Sequence, residues 1–347
     1  MIWYIITIYK HLSQKEKVMD KPVKLYVVVP CYNEEPVLPE TSKRMAELFN
    51  FMQMSQLISS DSRVVFVDDG SKDKTWQMID ELTKENDVFA GIRLAHNAGH
   101  QNAVFGGMMT VMDDCDCAIS IDADLQDDIN VIPEMVKNFA EGYDVVYGVR
   151  NKRETDTWFK RTTAEGFYKI MQSLGVDLVF NHADFRLLSH RALKALSQYP
   201  ERNMFLRGMV PTLGFRSTCV YYDRNERFAG ESKYPLKKMI SFAFDGITSF
   251  SISPIRFISG LGVVACIIAV VMAVYTIVCK FTGHTDAGWA SLMLSMWFIG
   301  GVQLLSLGLI GEYIGKMYKE VKRRPRYIIE AYLNNKESSE TDIDESK

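Results

Sequence analysis

Two long stretches without a charged side chain constrain this chain more than any other feature. Residues 257–279 read FISGLGVVACIIAVVMAVYTIVC, and residues 290–310 are also uncharged, with Gln303 as the main polar interruption. Each reaches the roughly 20 residues a helix needs to cross about 30 Å of hydrocarbon. Helices buried in a soluble core seldom lack a polar face, so the sequence predicts a membrane protein with a large head outside the bilayer. Lys233, Lys237, Lys238 and Arg256 precede the first run. Lys316, Lys319, Lys322, Arg323, Arg324 and Arg326 follow the second, whereas the connection KFTGHTDAGW carries one lysine. Basic residues favour the cytoplasmic side. The expectation is a hairpin of two spans, 257–279 and 290–312, in the cell (inner) membrane, with the head and both termini cytoplasmic.

The rest of the chain is that of a folded protein. Of its 347 residues 24% are charged and 47% hydrophobic, which excludes a disordered, collagen-like or coiled-coil chain. A net charge of −3 gives no basic field, so nucleic acid is not an expected partner. Six cysteines in this length make no disulfide scaffold, and the C-x-C of Cys115 and Cys117 lacks a second pair or a nearby histidine to hold zinc. A reduced, cytoplasm-facing body follows. Residues 2–9 are apolar but too short to cross a bilayer, and no small-residue cleavage site follows them. They read as a weak interfacial segment or as an artefact of the assigned start, with Met19 as an alternative beginning. From Asn334 onward apolar residues are almost lacking, which predicts disorder.

Short β-branched runs alternate with helical spacings in the first half. Strands are expected at 24–30, 63–67, 118–121 and 143–149, and helices at 37–51, 74–85, 100–112 and 130–141. Strands apolar on both faces, separated by helices, predict an α/β fold with a mostly parallel sheet. Polar clusters (CYNEE, DDGSKD, DADLQDD) sit just past the strands, where open α/β sheets bind ligands. Beyond Arg150 a helix at 157–174, a strand at 183–188, a helix at 189–197 and a loop-and-strand region at 206–222 are expected. In 237–250, Met239, Ile240, Ala243, Phe244 and Ile247 mark an amphipathic helix lying in the membrane interface. The predicted organisation is an extension (1–22), a catalytic head (23–234), an interfacial helix (235–256), the hairpin (257–315) and a basic, then disordered tail (316–347).

The D-x-D of Asp122 and Asp124 places two carboxylates where a turn after a buried strand lets both reach one cation, with the Gln126 carbonyl as a further ligand. Hard oxygen donors suit Mg²⁺ or Mn²⁺, which keep positions open for substrate phosphates. Taken with VVVPCYNEE after the first strand, VDDGSKDKT after the second, HNAGHQNA opening a helix and the D-x-D after a later strand, the sequence resembles the family-2 glycosyltransferases of GT-A fold. Within them it is similar to the polyprenyl-phosphate branch, which includes dolichol-phosphate mannose synthases, bactoprenol glucosyltransferases and aminoarabinose transferases. The resemblance runs from about Val23 to Arg326 and includes the hairpin.

That resemblance implies roles residue by residue. Pro30, Tyr32 and Glu34 would bind the nucleotide, the ring against the base and the carboxylate on ribose hydroxyls. Asp68 and Asp69 would hold the base, Asp69 accepting the imide N–H of uracil. Asn97, Gly99 and Ala103 would line the nucleotide loop, and Asp122, Asp124 and Gln126 would hold the metal bridging the donor diphosphate. His96 and His100 read as loop-packing or hydrogen-bonding residues. In RFAGESKYPLKK, Arg227, Ser232 and Lys233 offer a guanidinium fork, a hydroxyl and an ammonium, a set suited to a phosphate monoester at headgroup level. Arg150, Arg186 and Arg207 would face phosphate as well. Asp184, in ADFRLL, would be catalytic or positioning. A lipid phosphate with a second pKa near 6 is already largely a dianion, so it hardly needs a base.

The expected function is transfer, with inversion, of a sugar from a nucleotide sugar to undecaprenyl phosphate for cell-envelope glycan modification. UDP-glucose is favoured because the hairpin groups the chain with the glucosyltransferases. GDP-mannose, UDP-N-acetylhexosamine or a UDP-aminoarabinose derivative are alternative donors, and a non-catalytic membrane scaffold is the alternative role. Membrane lipids are expected partners, and the resemblance implies a homo-oligomer, a tetramer. A processive polysaccharide synthase would carry Q-x-x-R-W, and this chain has no Arg–Trp pair.

Overall fold

A computed structural model describes residues 21–151, 182–202, 205–223 and 288–334, with scattered positions between 255 and 278. Leu25–Cys31 (β1) and Arg63–Asp68 (β2) are buried at every residue. The same holds for Cys117–Ser120 (β4). Strands apolar on both faces need cover on both faces, and two cores supply it. Leu25, Val27 and Val29 pack with Phe49 of Leu38–Met54 (α1), Ile79 of Thr75–Glu85 (α2) and Met135 of Ile132–Ala140 (α4). Tyr26 and Val28 point the other way, toward Val104 and Met108 of His100–Val111 (α3), Leu193 of His190–Ser197 (α5) and Met209 of Leu206–Thr212 (α6).

With Phe89–Leu94 (β3), Val145–Arg150 (β5), His182–Ser189 (β6), Ser217–Tyr222 (β7) and Ile329–Leu333 (β8), these strands form one eight-stranded sheet in the order β7-β5-β6-β4-β1-β2-β3-β8. The β4-β1-β2-β3 block is parallel, and β6 runs antiparallel between β4 and β5. The expected α/β architecture is thus present, with element ends shifted by at most three residues. The expected loop at the start of 206–222 is instead α6, which carries Pro211 near its end.

Two strands escaped the sequence reading. In β3, Gly91 and Arg93 interrupt the apolar run. The other, β8, lies in what reads as the basic tail, and it pairs antiparallel with β3 through Gly91↔Leu333, Ile92↔Tyr332 and Arg93↔Ala331. The expected tail of 316–347 is corrected accordingly: Ile329–Leu333 belongs to the head's sheet. Its residues alternate only weakly and stay half exposed, which is normal for an edge strand and leaves little periodic signal. The second hydrophobic run is part of one helix, Trp289–Lys322 (α7), ten residues longer at its C-terminal end than the expected span. Within it Phe298–Lys322 is long and apolar enough to cross a membrane, with a mean hydropathy of 1.4 and no part of its apolar window buried. In the first run, Val263, Ile267, Val270, Val271 and Val274 are likewise exposed. The extension 1–20, the helix expected at 157–174, the interfacial helix and the chain beyond Asn334 lie outside the described residues.

Packing of α3 on the sheet is close at one point. A Cβ on Gly107 would lie 2.5 Å from Val28 Cγ1 and 2.7 Å from Val67 Cγ2. Both neighbours are fully buried, so neither can give way. Gly107→Ala is therefore expected to destabilise the head by about 1–3 kcal/mol through overpacking, read as a lowered melting temperature of the purified protein in detergent.

Candidate active site

The carboxyl ends of β1, β2 and β4 open on one side of the sheet and carry the predicted polar clusters. Asp68 ends β2 and has no exposed surface. Its Oδ1 accepts the Ser71 N–H at 3.2 Å, and among the described residues Oδ2 has no hydrogen-bond partner, with Arg93 Nε 3.9 Å away. Burial raises the pKa of this carboxyl. Asp69 is spent differently: Oδ1 accepts the Ala98 N–H at 2.6 Å and Oδ2 the Gly99 N–H at 3.0 Å. It thereby straps the 96–99 loop to the β2 turn. Gly70 makes the approach possible, since at φ +66° a Cβ would sit 2.8 Å from Asn97 N. The β1 loop joins the same cluster. Asn33 donates its N–H to Ser71 Oγ at 3.0 Å and accepts the Lys72 N–H at 2.8 Å, and Glu34 donates its N–H to Thr75 Oγ1 at 3.0 Å. Tyr32 projects outward, 38% exposed, beside this cluster. Pro30 pairs with Val67 inside the sheet, and Ala103 is buried in α3, so both shape the floor.

The D-x-D follows β4. Antiparallel pairing matches Ser120 with Arg186, so two residues further on Asp122 comes opposite Asp184. Ser120 Oγ donates to the Asp184 carbonyl at 2.5 Å and fixes that juxtaposition. His100, the first residue of α3, sits between the two carboxylates, its Nε2 3.5 Å from Asp122 Oδ1 and 3.6 Å from Asp184 Oδ2. Burial works against its charge, but Asp184 and Asp122 outweigh it and raise the imidazole's pKa. Asp122 is pushed up to about 6, first by burial and then by Asp184, Asp127 and Asp124, with His100 opposing. Asp124 Oδ1 accepts the Gln126 N–H at 3.2 Å, and Leu125 between them takes a positive φ of 56°.

Asp184 is gripped by two arginines. Arg186 reaches Oδ1 at 2.7 Å, and Arg207 of α6 makes a fork to Oδ1 and Oδ2 at 3.0 and 3.1 Å. Although burial opposes it, Arg207, His100 and Arg186 hold the carboxyl well below its usual range. Such a group is a poor proton acceptor, in keeping with a positioning role. Arg186 is only 2% exposed, so it backs Asp184 rather than lining the cleft. Arg207 keeps about a third of its side chain exposed. Arg150, at the end of β5, donates to Asp127 Oδ1 from Nε at 3.0 Å and from Nη2 at 2.8 Å, and the Tyr222 hydroxyl donates to the same oxygen at 2.6 Å.

The structure thus brings together Asp122, Asp124, Gln126, Asp184, Arg186, Arg207 and Arg150 on one side, and Tyr32, Glu34, Asp69, Asn97 and Gly99 on the other. Arg227, Ser232 and Lys233 lie outside the described residues. His100, Asp127 and Tyr222 are the site residues that the sequence reading missed as such. A histidine at a helix start gave a weak signal, and Asp127 was hidden in a run of aspartates. Among the described residues no group of three or more His, Cys, Asp or Glu side chains converges so as to hold a metal ion. The donor set is two carboxylates and an amide, all hard oxygens, and burial and then the neighbouring carboxylates raise Asp122. The set fits an ion such as Mg²⁺ or Mn²⁺ that completes its shell with phosphates and water.

A mostly parallel sheet with polar loops and a D-x-D at its carboxyl edge is the arrangement of a GT-A glycosyltransferase. The model of "Glycosyl transferase family 2" matches residues 26–197, and that of the "GtrB C-terminal hairpin" matches 253–317. The glycosyltransferase YkoT of Bacillus subtilis is 54% identical over 315 residues, covering 91% of this chain and 94% of that protein. The prophage bactoprenol glucosyl transferase homolog of Escherichia coli is 36% identical over 309 residues, covering 88% and 98%. The SfII prophage-derived bactoprenol glucosyl transferase of Shigella flexneri is 37% identical over 309 residues, covering 88% and 97%. The chain belongs to glycosyl transferase family 2.

Proposed function

We propose that this glycosyltransferase moves a sugar from UDP-glucose to undecaprenyl phosphate, with inversion, giving undecaprenyl-phospho-glucose and UDP. One observation carries the reading: His100 bridges the D-x-D carboxylate Asp122 and the arginine-bound Asp184, so a donor side and a phosphate side meet in one cleft. The relatives named bactoprenol glucosyl transferases support the acceptor and the sugar. The hairpin match and the exposed apolar runs support two membrane spans that bring the head to the lipid.

In this reading Tyr32 packs on the base and Glu34 takes the ribose hydroxyls. Asp68 and Asp69 are both buried, so Asp69 serves the donor side through the 96–99 loop that its two oxygens strap in place. Asp122, Asp124 and Gln126 would hold Mg²⁺ or Mn²⁺. When bound there the ion supplies neutralisation of the departing diphosphate. Arg207, with Arg227, Ser232 and Lys233 from the following segment, holds the lipid phosphate. Asp184, backed by Arg186, sets the angle of Arg207. A phosphate oxygen then attacks the anomeric carbon opposite the leaving diphosphate; the bond to that diphosphate breaks, and no enzyme group becomes covalently attached. As a dianion the acceptor needs no base, which matches an Asp184 held ionised.

Lys233 and Lys322 test the acceptor side. Lys233→Ala is expected to lower kcat/KM for undecaprenyl phosphate ten- to a hundredfold, the loss of a charge-assisted hydrogen bond of roughly 1.5–3 kcal/mol. The donor KM should stay within about twofold. Lys322→Ala removes a cation of the same kind near the bilayer and should change little, since it gives only diffuse attraction. Steady-state kinetics varying each substrate in turn read both. Equal effects at the two lysines, or a defect confined to the donor, would move the S-K stretch out of the acceptor site.

A further inference from the structure

The chain after the membrane helix returns to the head at a particular place. Glu320, two residues before the end of α7, accepts the Arg202 N–H on both carboxylate oxygens, each at 2.8 Å. Arg323 then takes a left-handed φ of 48° and ends the helix. Beyond it Arg326 donates to the Tyr199 carbonyl and lies over the Phe105 ring of α3, 4.5 Å from its centroid. The Tyr327 ring lies edge-on to Phe105, the centroids 6.4 Å apart, and its atoms would meet a Cβ on Gly106 at 3.1 Å. The Ala95 N–H donates to the Ile328 carbonyl at 2.9 Å, and β8 follows.

Tyr199 and Arg202 belong to the stretch that leads into α6. At its far end the Leu206 N–H donates to Gln101 Oε1 at 3.1 Å, next to His100, and Arg207 forks onto Asp184. One segment therefore has its entry tied to the foot of the membrane helix and its exit tied to the phosphate side of the cleft.

We propose that Glu320 is a positioning residue. Together with Arg326 it ties the segment bearing Arg207 to the foot of α7, and so fixes the height of the acceptor-phosphate site above the bilayer. The inference rests on the reading of Arg207 as an acceptor-phosphate residue and adds a source for its placement. A lipid phosphate cannot leave the headgroup plane, whereas a nucleotide sugar arrives from solution. An error in height therefore penalises the acceptor alone.

The test uses the full-length enzyme in vesicles containing undecaprenyl phosphate, with metal ion and UDP-glucose. Glu320→Ala should raise the apparent KM for undecaprenyl phosphate about tenfold, in the range for losing a hydrogen bond to a charged group, and leave the donor KM within twofold. Glu320→Gln keeps an oxygen for the Arg202 N–H and should recover most of the loss. Arg326→Ala should repeat the acceptor-selective defect. A melting curve of each variant accompanies the kinetics; if Glu320→Ala is unfolded, the Gln and Arg326 variants carry the comparison. Unchanged acceptor KM in Glu320→Ala and Arg326→Ala, or equal rises for both substrates, overturns the proposal. Failure of the underlying reading looks different, because then the wild-type enzyme does not glycosylate undecaprenyl phosphate or Arg207→Ala leaves the acceptor KM unchanged.

Discussion

Asp124→Asn is expected to lower kcat on the order of 10²–10³-fold, the cost of removing one group that stabilises developing transition-state charge. The substitution keeps the side-chain oxygen that accepts the Gln126 N–H, so the turn at Leu125 survives and the melting temperature should change little. In the proposed reading, what is lost is one of the two negative charges that would hold the cation. Turnover assayed across a titration of Mg²⁺ and of Mn²⁺ reads the effect. The variant should need a higher ion concentration and still fall short of wild type at saturation. Wild-type turnover at ordinary ion concentration would remove Asp124 from the metal site.

Asp184→Ala should be costly in a second way. Arg186 is 2% exposed, and its guanidinium is paired with Asp184 at 2.7 Å. Removing one partner of a buried pair leaves an uncompensated charge, about 3–5 kcal/mol, which for a head of this size lowers the melting temperature on the order of 10 °C. Arg207 is released at the same time, so activity should fall as well. The pH dependence has a definite sign. Because the folded pKa of Asp184 is depressed, its contribution is present above the unfolded value of roughly 4 and is lost as pH falls through the folded one. Wild type and Asp184→Asn should therefore converge in stability in acid and separate toward neutrality. A gap that stays constant from acid to neutral pH would contradict the ion-pair account.

Much of this was legible in the sequence because the signals are local. The β1 run LYVVVPC is apolar at almost every position, and its burial on both faces follows from that. The order of the motifs places the β1, β2 and β4 loops at one edge, and the D-x-D falls there. What escaped depends on partners far apart in the chain. Asp184 meets Asp122 through β4–β6 register, and no periodicity encodes that pairing. Arg186 reads like any phosphate-facing arginine until the fold buries it. Asp68 and Asp69 are neighbours in the chain, yet one is sealed in the sheet and the other straps the 96–99 loop. The strand β8 is five residues long and follows a long apolar helix and a basic stretch, so composition alone takes it for tail. Its place beside β3 also means that a cut after Tyr234 would strip a strand and the Tyr327 contact from the head. An isolated 23–234 fragment is expected to be less stable than the head of the full chain.

Transfer of glucose to a lipid phosphate is a two-substrate reaction, and the fate of a sugar label reads it. Purified full-length protein is incubated with Mn²⁺ or Mg²⁺, UDP-glucose radiolabelled in the sugar, and undecaprenyl phosphate, and the products are partitioned between organic and aqueous phases. The expected result is organic-phase label that requires the ion and the lipid phosphate together, is released by mild acid as glucose, and is matched mole for mole by UDP. Label that stays aqueous as UDP-glucose, or is released as free glucose at the same rate without the lipid, would contradict it.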